Sequence, residues 1–73
     1  MTQATRTIEL VVNGERHEAP AGITIAGLIE RLKLGDAACA VEVNRELAPK
    51  STHEARTLAS GDSVEIVTLV GGG

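Results

Sequence analysis

Val64-Glu65-Ile66-Val67-Thr68-Leu69-Val70-Gly71-Gly72-Gly73 closes the chain. Aliphatic and β-branched residues run without interruption into three glycines. The first seven read as a strand, because β-branched residues suit a pleated, half-buried surface. Alternation assigns them to two faces: if Val64 and Ile66 point into the core, Glu65, Val67 and Leu69 point away from it. The glycines carry no side chain and have the greatest conformational freedom of any residue. Together they make a thin thread that can enter a narrow channel and present a carboxylate at Gly73. A terminal segment without a task drifts into mixed polar residues. This one stays apolar to Val70.

The rest of the composition bounds what such a strand can belong to. At 73 residues the chain is one domain, near the lower limit for a self-sufficient core. There are no aromatic residues. The core therefore rests on 19 Ile, Leu and Val side chains, each contributing roughly 1.5–3 kcal/mol when fully buried. That supports a small domain and leaves no volume for a deep pocket, which argues against an enzyme. A net charge of −3 opposes non-specific nucleic-acid binding, and the lack of aromatics removes any stacking platform for single strands. The one cysteine, Cys39, has no internal partner for a disulfide. No apolar run approaches membrane-spanning length, and the first residues lack a signal-peptide core. The expectation is a soluble cytoplasmic protein.

Working back from the last strand, Gly61-Asp62 marks the turn that feeds it, and Leu58 reads as a small plug under a loop. The segment Ser51 to Arg56 is expected to make one helical turn capped by Ser51. Before it, Leu47-Ala48-Pro49 reads as extended or irregular, with Pro49 keeping it off the centre of a sheet. A strand over Ala38 to Asn44 places Cys39, Val41 and Val43 inward and Ala40, Glu42 and Asn44 outward. Ile25, Leu28, Ile29 and Leu32 recur at helical spacing and form one apolar stripe. Thr24 is its expected N-cap and Gly35 its expected C-terminal cap. Gly27 lies within that helix at a cost of about 1 kcal/mol relative to Ala, which points to close packing. At the start, Ile8, Leu10 and Val12 alternate with Thr7, Glu9 and Val11 in a strand that ends at Asn13-Gly14, a strong hairpin signal. The return strand, Arg16 to Ala19, is polar enough for an edge.

One amphipathic helix covers one face of one sheet, and a crossover through it lays the first and last strands side by side in parallel. The resulting α+β fold is a β-grasp: a mixed sheet of four to five strands with one main helix on one face, over residues 1–70, followed by the glycine tail 71–73. Its other sheet face then carries Val67 and Leu69, with Val70 at the root of the tail. Exposed aliphatics beside such a tail suggest a partner-docking surface. Glu42 and Glu65 flank Val67 there and would meet basic residues of a partner.

Several stretches carry a family resemblance. They are Asn13-Gly14, Thr24-Ile25-Ala26-Gly27-Leu28-Ile29, the run from Ala40 through Pro49, Gly61-Asp62-Ser63-Val64-Glu65-Ile66-Val67, and the ending Val70-Gly71-Gly72-Gly73. In these the chain resembles the ubiquitin-like sulfur carriers of thiamin (thiazole) biosynthesis. The resemblance covers nearly the whole chain, with Ala48 as a departure where relatives often have a larger aliphatic. It implies that the protein is a carrier and not an enzyme. An adenylating enzyme related to the ubiquitin-activating enzymes would use Mg and ATP to adenylate the Gly73 carboxylate. A persulfide donor would then supply sulfur to give a thiocarboxylate, which thiazole synthase would consume. Gly71 and Gly72 would form the tail that delivers Gly73, and the carrier itself would bind no cofactor. Two other readings stay open: a sulfur carrier for molybdopterin or cysteine synthesis, and a non-carrier β-grasp binding module. No membrane or nucleic-acid partner is expected. His17 and His53 lack metal-ligand spacing, so no metal site is expected.

Overall fold

The computed structural model describes residues 6–68. Its order is β1 (Thr7–Val12), β2 (Glu15–Pro20), α1 (Ile25–Arg31), a 3-10 turn (Gly35–Ala37), β3 (Ala38–Val43), β4 (Glu46–Leu47), a 3-10 turn (Lys50–Thr52) and β5 (Ser63–Thr68). The five strands form one mixed sheet in the order β2-β1-β5-β3-β4. The first and last strands pair in parallel at its centre, with Val11 opposite Ser63 and Val12 opposite Val64. The β-grasp expected from sequence is therefore observed, with five strands.

The β1–β2 hairpin turns on Asn13 (φ 50°) and Gly14 (φ 85°). Positive φ at both central positions gives the turn whose twist matches that of the flanking strands. β2 is an outer strand, as its polarity requires. A second tight turn, Asn44 (φ 52°) and Arg45 (φ 71°), leads into β4. Of the two conformations expected from Leu47, extended or irregular, the chain takes the extended one there, since Glu46 and Leu47 pair with Val43 and Glu42.

The helix is short, and its first turn is fully satisfied without a capping box. Ile25 N–H donates to the Arg56 carbonyl (3.0 Å) and Ala26 N–H to that of His53 (2.9 Å). Gly27 N–H donates to Thr24 Oγ1 (3.1 Å). The loop after β4 thus supplies what side chains would otherwise provide. A Cβ on Gly27 would lie 3.1 Å from Ile23 Cγ1, so the close packing expected there is present.

Two end signals require correction. The helix ends in a Schellman motif in which Lys33 N–H donates to Glu30 O (2.9 Å) and Leu34 N–H to Ile29 O (3.1 Å). The left-handed residue of that motif is Lys33 (φ 60°), not Gly35; Gly35 is also left-handed (φ 53°) and opens the following 3-10 turn. Likewise, the turn expected to be capped by Ser51 starts one residue earlier, at Lys50 with Pro49 before it, and has no side-chain cap. Thr52 Oγ1 instead donates to the Pro49 carbonyl (2.6 Å).

Leu10, Ile25, Leu28, Val41, Val43 and Val64 are the largest fully buried side chains. Leu58 is buried as the expected plug, and Ala48 is buried with only a methyl group to place. His53 is the one buried polar residue among those described. Its Nε2 lies 2.9 Å from the Ala48 carbonyl. A carbonyl only accepts, so Nε2 carries the proton and ties the loop to the segment after β4.

Candidate functional site

β5 carries the chain from the sheet centre toward the glycines, so the surroundings of its outer end define the candidate site. Its alternation is as read from sequence: Val64 and Ile66 are buried against the helix, while Glu65 and Val67 are exposed. Val67 keeps 57% of its surface accessible. Leu69, Val70, the tail residues Gly71 and Gly72 and the sulfur-attachment candidate Gly73 lie outside the described residues, as does the orientation expected of the Cys39 side chain.

Register assembles the rest of this face. Ala40 stands opposite Val67, and Glu42 opposite Glu65, across the antiparallel β3–β5 pair. Leu47 stands opposite Glu42 across the β3–β4 pair and is 66% exposed. Across the parallel pair, Val11 lies beside Ser63. The outcome is an apolar strip of Val67, Ala40 and Leu47 broken by two carboxylates on directly opposite residues. Like charges in that relation destabilise a sheet. Among the described residues the salt bridge present is His17 Nε2 to Glu15 Oε1 (3.8 Å) on β2, so no lysine or arginine forms an ion pair with either carboxylate. Leu47 was the member of this face that sequence reading missed. Pairing with β3 places it there, and the one available signal was the Asn44-Arg45 turn before it.

The approach to β5 is tightly built. Asp62 accepts from Ala59 N–H through Oδ2 (2.8 Å) and from Asn44 Nδ2 through Oδ1 (3.0 Å), and Ser63 N–H donates to Asn44 Oδ1 (2.9 Å). The Gly61-Asp62 turn therefore fixes where the last strand begins. Farther along, Asn13 reaches across from the hairpin. Its Oδ1 accepts from Ile66 N–H (2.8 Å) and its Nδ2 donates to Ile66 O (3.2 Å).

No group of three or more metal-ligating side chains converges among the described residues. No helix among them is long and apolar enough to cross a membrane. One shallow surface concavity lies beside the helix, lined by residues such as Thr24, Ala26, Gly27 and Glu30.

Comparison with known proteins places this geometry. A family model described as the ThiS family matches residues 5–73. The chain is 38% identical over 66 residues to a thiazole synthase of Paramagnetospirillum magneticum and 36% identical over 66 residues to one of Magnetococcus marinus. In both cases the match covers 90% of this chain but only 20% of the relative, so the chain spans about a fifth of their length. The crystal structure of a thiamine biosynthesis protein (ThiS) from Geobacter metallireducens superposes with a TM-score of 0.75 at 28% identity, covering 90% of this chain and 100% of that one.

Proposed function

This chain belongs to the ThiS family, and from that premise we propose that it is a sulfur carrier of thiamin biosynthesis whose working group is the carboxylate of Gly73. The observation that carries the reading is the match over residues 5–73, which runs from the start of the domain through the terminal glycines. The strand leading into those glycines lies at the sheet centre and shows Val67 on an exposed face.

The chemistry follows from the group. An α-carboxyl has a pKa of about 3.3–3.7 and is an anion at neutral pH. As an anion it is a nucleophile and a poor electrophile, so it must be activated before sulfur can enter. In an adenylating enzyme, one carboxylate oxygen attacks the α-phosphorus of Mg-bound ATP and pyrophosphate leaves. The terminal sulfur of a persulfide then attacks the acyl-adenylate carbon and AMP leaves. A second thiol cleaves the resulting S–S bond, giving a disulfide and the thiocarboxylate on Gly73. Thiazole synthase takes the sulfur from there. The carrier contributes reach and recognition and catalyses no step. ATP and Mg belong to the activating enzyme. A cytoplasmic setting suits this chemistry, because thiols stay reduced there.

Recognition falls to the exposed face. Val67, Leu69 and Val70 form the proposed docking strip, continued by Leu47, and the carboxylates of Glu42 and Glu65 select a partner patch with basic residues. The likeness to thiazole synthases supports that enzyme as one partner.

The test is intact mass after incubation with an adenylating enzyme of this class, Mg-ATP and a persulfide source. A gain matching one oxygen replaced by sulfur, mapped to Gly73 and absent after deletion of Gly72-Gly73, is expected. Loading that persists in the deletion refutes Gly73 as the carrier group. No gain with an enzyme that loads another carrier leaves the non-carrier binding module.

A further inference from the structure

β1 and β5 form a parallel pair whose hydrogen bonds reach every second residue of β5. Val11 N–H donates to Asp62 O (3.0 Å) and Asn13 N–H to Val64 O (2.8 Å). The next partner for β5 on that side is Ile66, which a continuing β1 would serve with the Asn13 carbonyl and a later N–H. β1 does not continue, because the backbone turns back at Asn13 and Gly14. The Asn13 side chain completes the ladder instead. Its amide has the same planar arrangement of acceptor and donor as a peptide group, and it accepts from Ile66 N–H (2.8 Å) while donating to Ile66 O (3.2 Å). Fifty-three positions separate the two residues in sequence. Beyond Ile66, β5 has only β3 beside it among the described residues, where Thr68 stands opposite Ala38.

We propose that Asn13 is a positioning residue for sulfur loading: its side-chain amide stands in for the missing length of β1 and fixes the point from which the tail departs. This rests on the carrier reading above. Without the clamp, two-sided pairing of β5 would end at Val64, and Ile66 and Val67 would be held from the β3 side alone. Val67 is central to the exposed strip, so a partner would have to order that stretch as it docks. Fixing a backbone residue costs conformational entropy and so opposes binding. Partial loosening of two residues therefore lowers affinity about tenfold. The cost falls on docking and not on the attack at phosphorus, so it raises the KM for the carrier and leaves kcat unchanged.

Two substitutions separate clamp from turn. Asn13→Gly keeps a residue suited to φ 50° and removes the amide. Asn13→Asp also suits the turn and keeps an acceptor for Ile66 N–H, but sets an oxygen against the Ile66 carbonyl. Both are measured as full-length carrier for thermal unfolding, for hydrogen exchange of individual amides, and for initial rates of Mg-ATP-dependent thiocarboxylation at varied carrier concentration. Rates are taken where circular dichroism shows each variant fully folded, so a merely stabilising role would leave them untouched. The expected result is faster exchange at Ile66 with unchanged protection at His17 and Ala19. KM should rise about tenfold in Asn13→Gly and further in Asn13→Asp, at constant kcat. A folded Asn13→Gly variant with wild-type KM, or with wild-type exchange at Ile66, overturns the inference. Failure of the unsubstituted protein to load at all overturns the carrier reading, and with it any part for Asn13 in loading.

Discussion

Replacing Glu65 with Gln should make the free protein slightly more stable and its docking slower, a pairing of effects that a passive surface residue would not produce. Glu65 and Glu42 are exposed and directly opposite across β3 and β5. Cβ atoms in that relation are about 5 Å apart. With carboxylates about 6 Å apart in water, the repulsion is about 0.7 kcal/mol. Screening at physiological salt, where the Debye length is about 8 Å, cuts this to about 0.3 kcal/mol. For a domain of this size that is a rise of about 1–2 °C in Tm. It should vanish at about 1 M salt, where the screening length falls to about 3 Å. On the docking side, one fewer carboxylate facing a basic patch should slow association about two- to threefold at low salt, with little change in dissociation. Thermal unfolding and stopped-flow association with the adenylating enzyme, each at low and high salt, supply the numbers. Glu30→Gln removes the same charge from the solvent side of α1 and serves as control. A loss of stability in Glu65→Gln would show that the pair is not repulsive. Equal slowing by Glu30→Gln would show that only net charge matters, and the exposed face would lose its assigned role.

Leu69→Asp should weaken docking to the adenylating enzyme at least tenfold while leaving the unfolding midpoint near that of the parent; collapse of the fold would mean that Leu69 faces the core and that the alternation of β5 breaks after Thr68. At Lys33, whose φ is 60°, Gly should be more stable than Ala by about 1 kcal/mol, the reverse of the order at an ordinary helical position. Equilibrium urea unfolding of Lys33→Gly and Lys33→Ala decides it, and the usual order would remove the Schellman end from the solution structure. His53→Ala leaves the Ala48 carbonyl without its 2.9 Å donor and empties a buried position. A loss of about 1–3 kcal/mol in the same assay is expected from the unsatisfied carbonyl, and a neutral result would mean that water replaces the imidazole.

Much of this molecule is legible in its sequence because local chemistry and burial agree. Alternation in β1 and β5 placed Leu10, Val12, Val64 and Ile66 inward, and all four are buried. Asn13-Gly14 announced its hairpin because few other pairs accept positive φ twice. The stripe from Ile25 to Leu32 required a single helix on a single sheet face, and with two apolar strands at the chain ends that requirement left little besides a β-grasp. Thr24 was recognisable as a cap because it needs only the residue three positions on.

The errors fall where two local signals competed or where the deciding partner was remote. Gly35 looked like the helix end, yet the hydrogen bonds close at Lys33, because the apolar stripe ends at Leu32 and the chain must turn there whatever residue follows. Ser51 looked like a cap, yet Pro49 takes the cap position two residues earlier. Leu47 joined the exposed face only because Glu42 holds it in register. Asn13 shows the division most clearly. Sequence alone determines that it turns the chain, since that depends on its own φ and on Gly14. Its second task depends on β5 arriving beside β1 with Ile66 in reach, fifty-three residues away. The same holds for the opposition of Glu42 and Glu65. Periodicity is a property of one strand and can be read along it; register is a relation between strands, and only their pairing in three dimensions decides it.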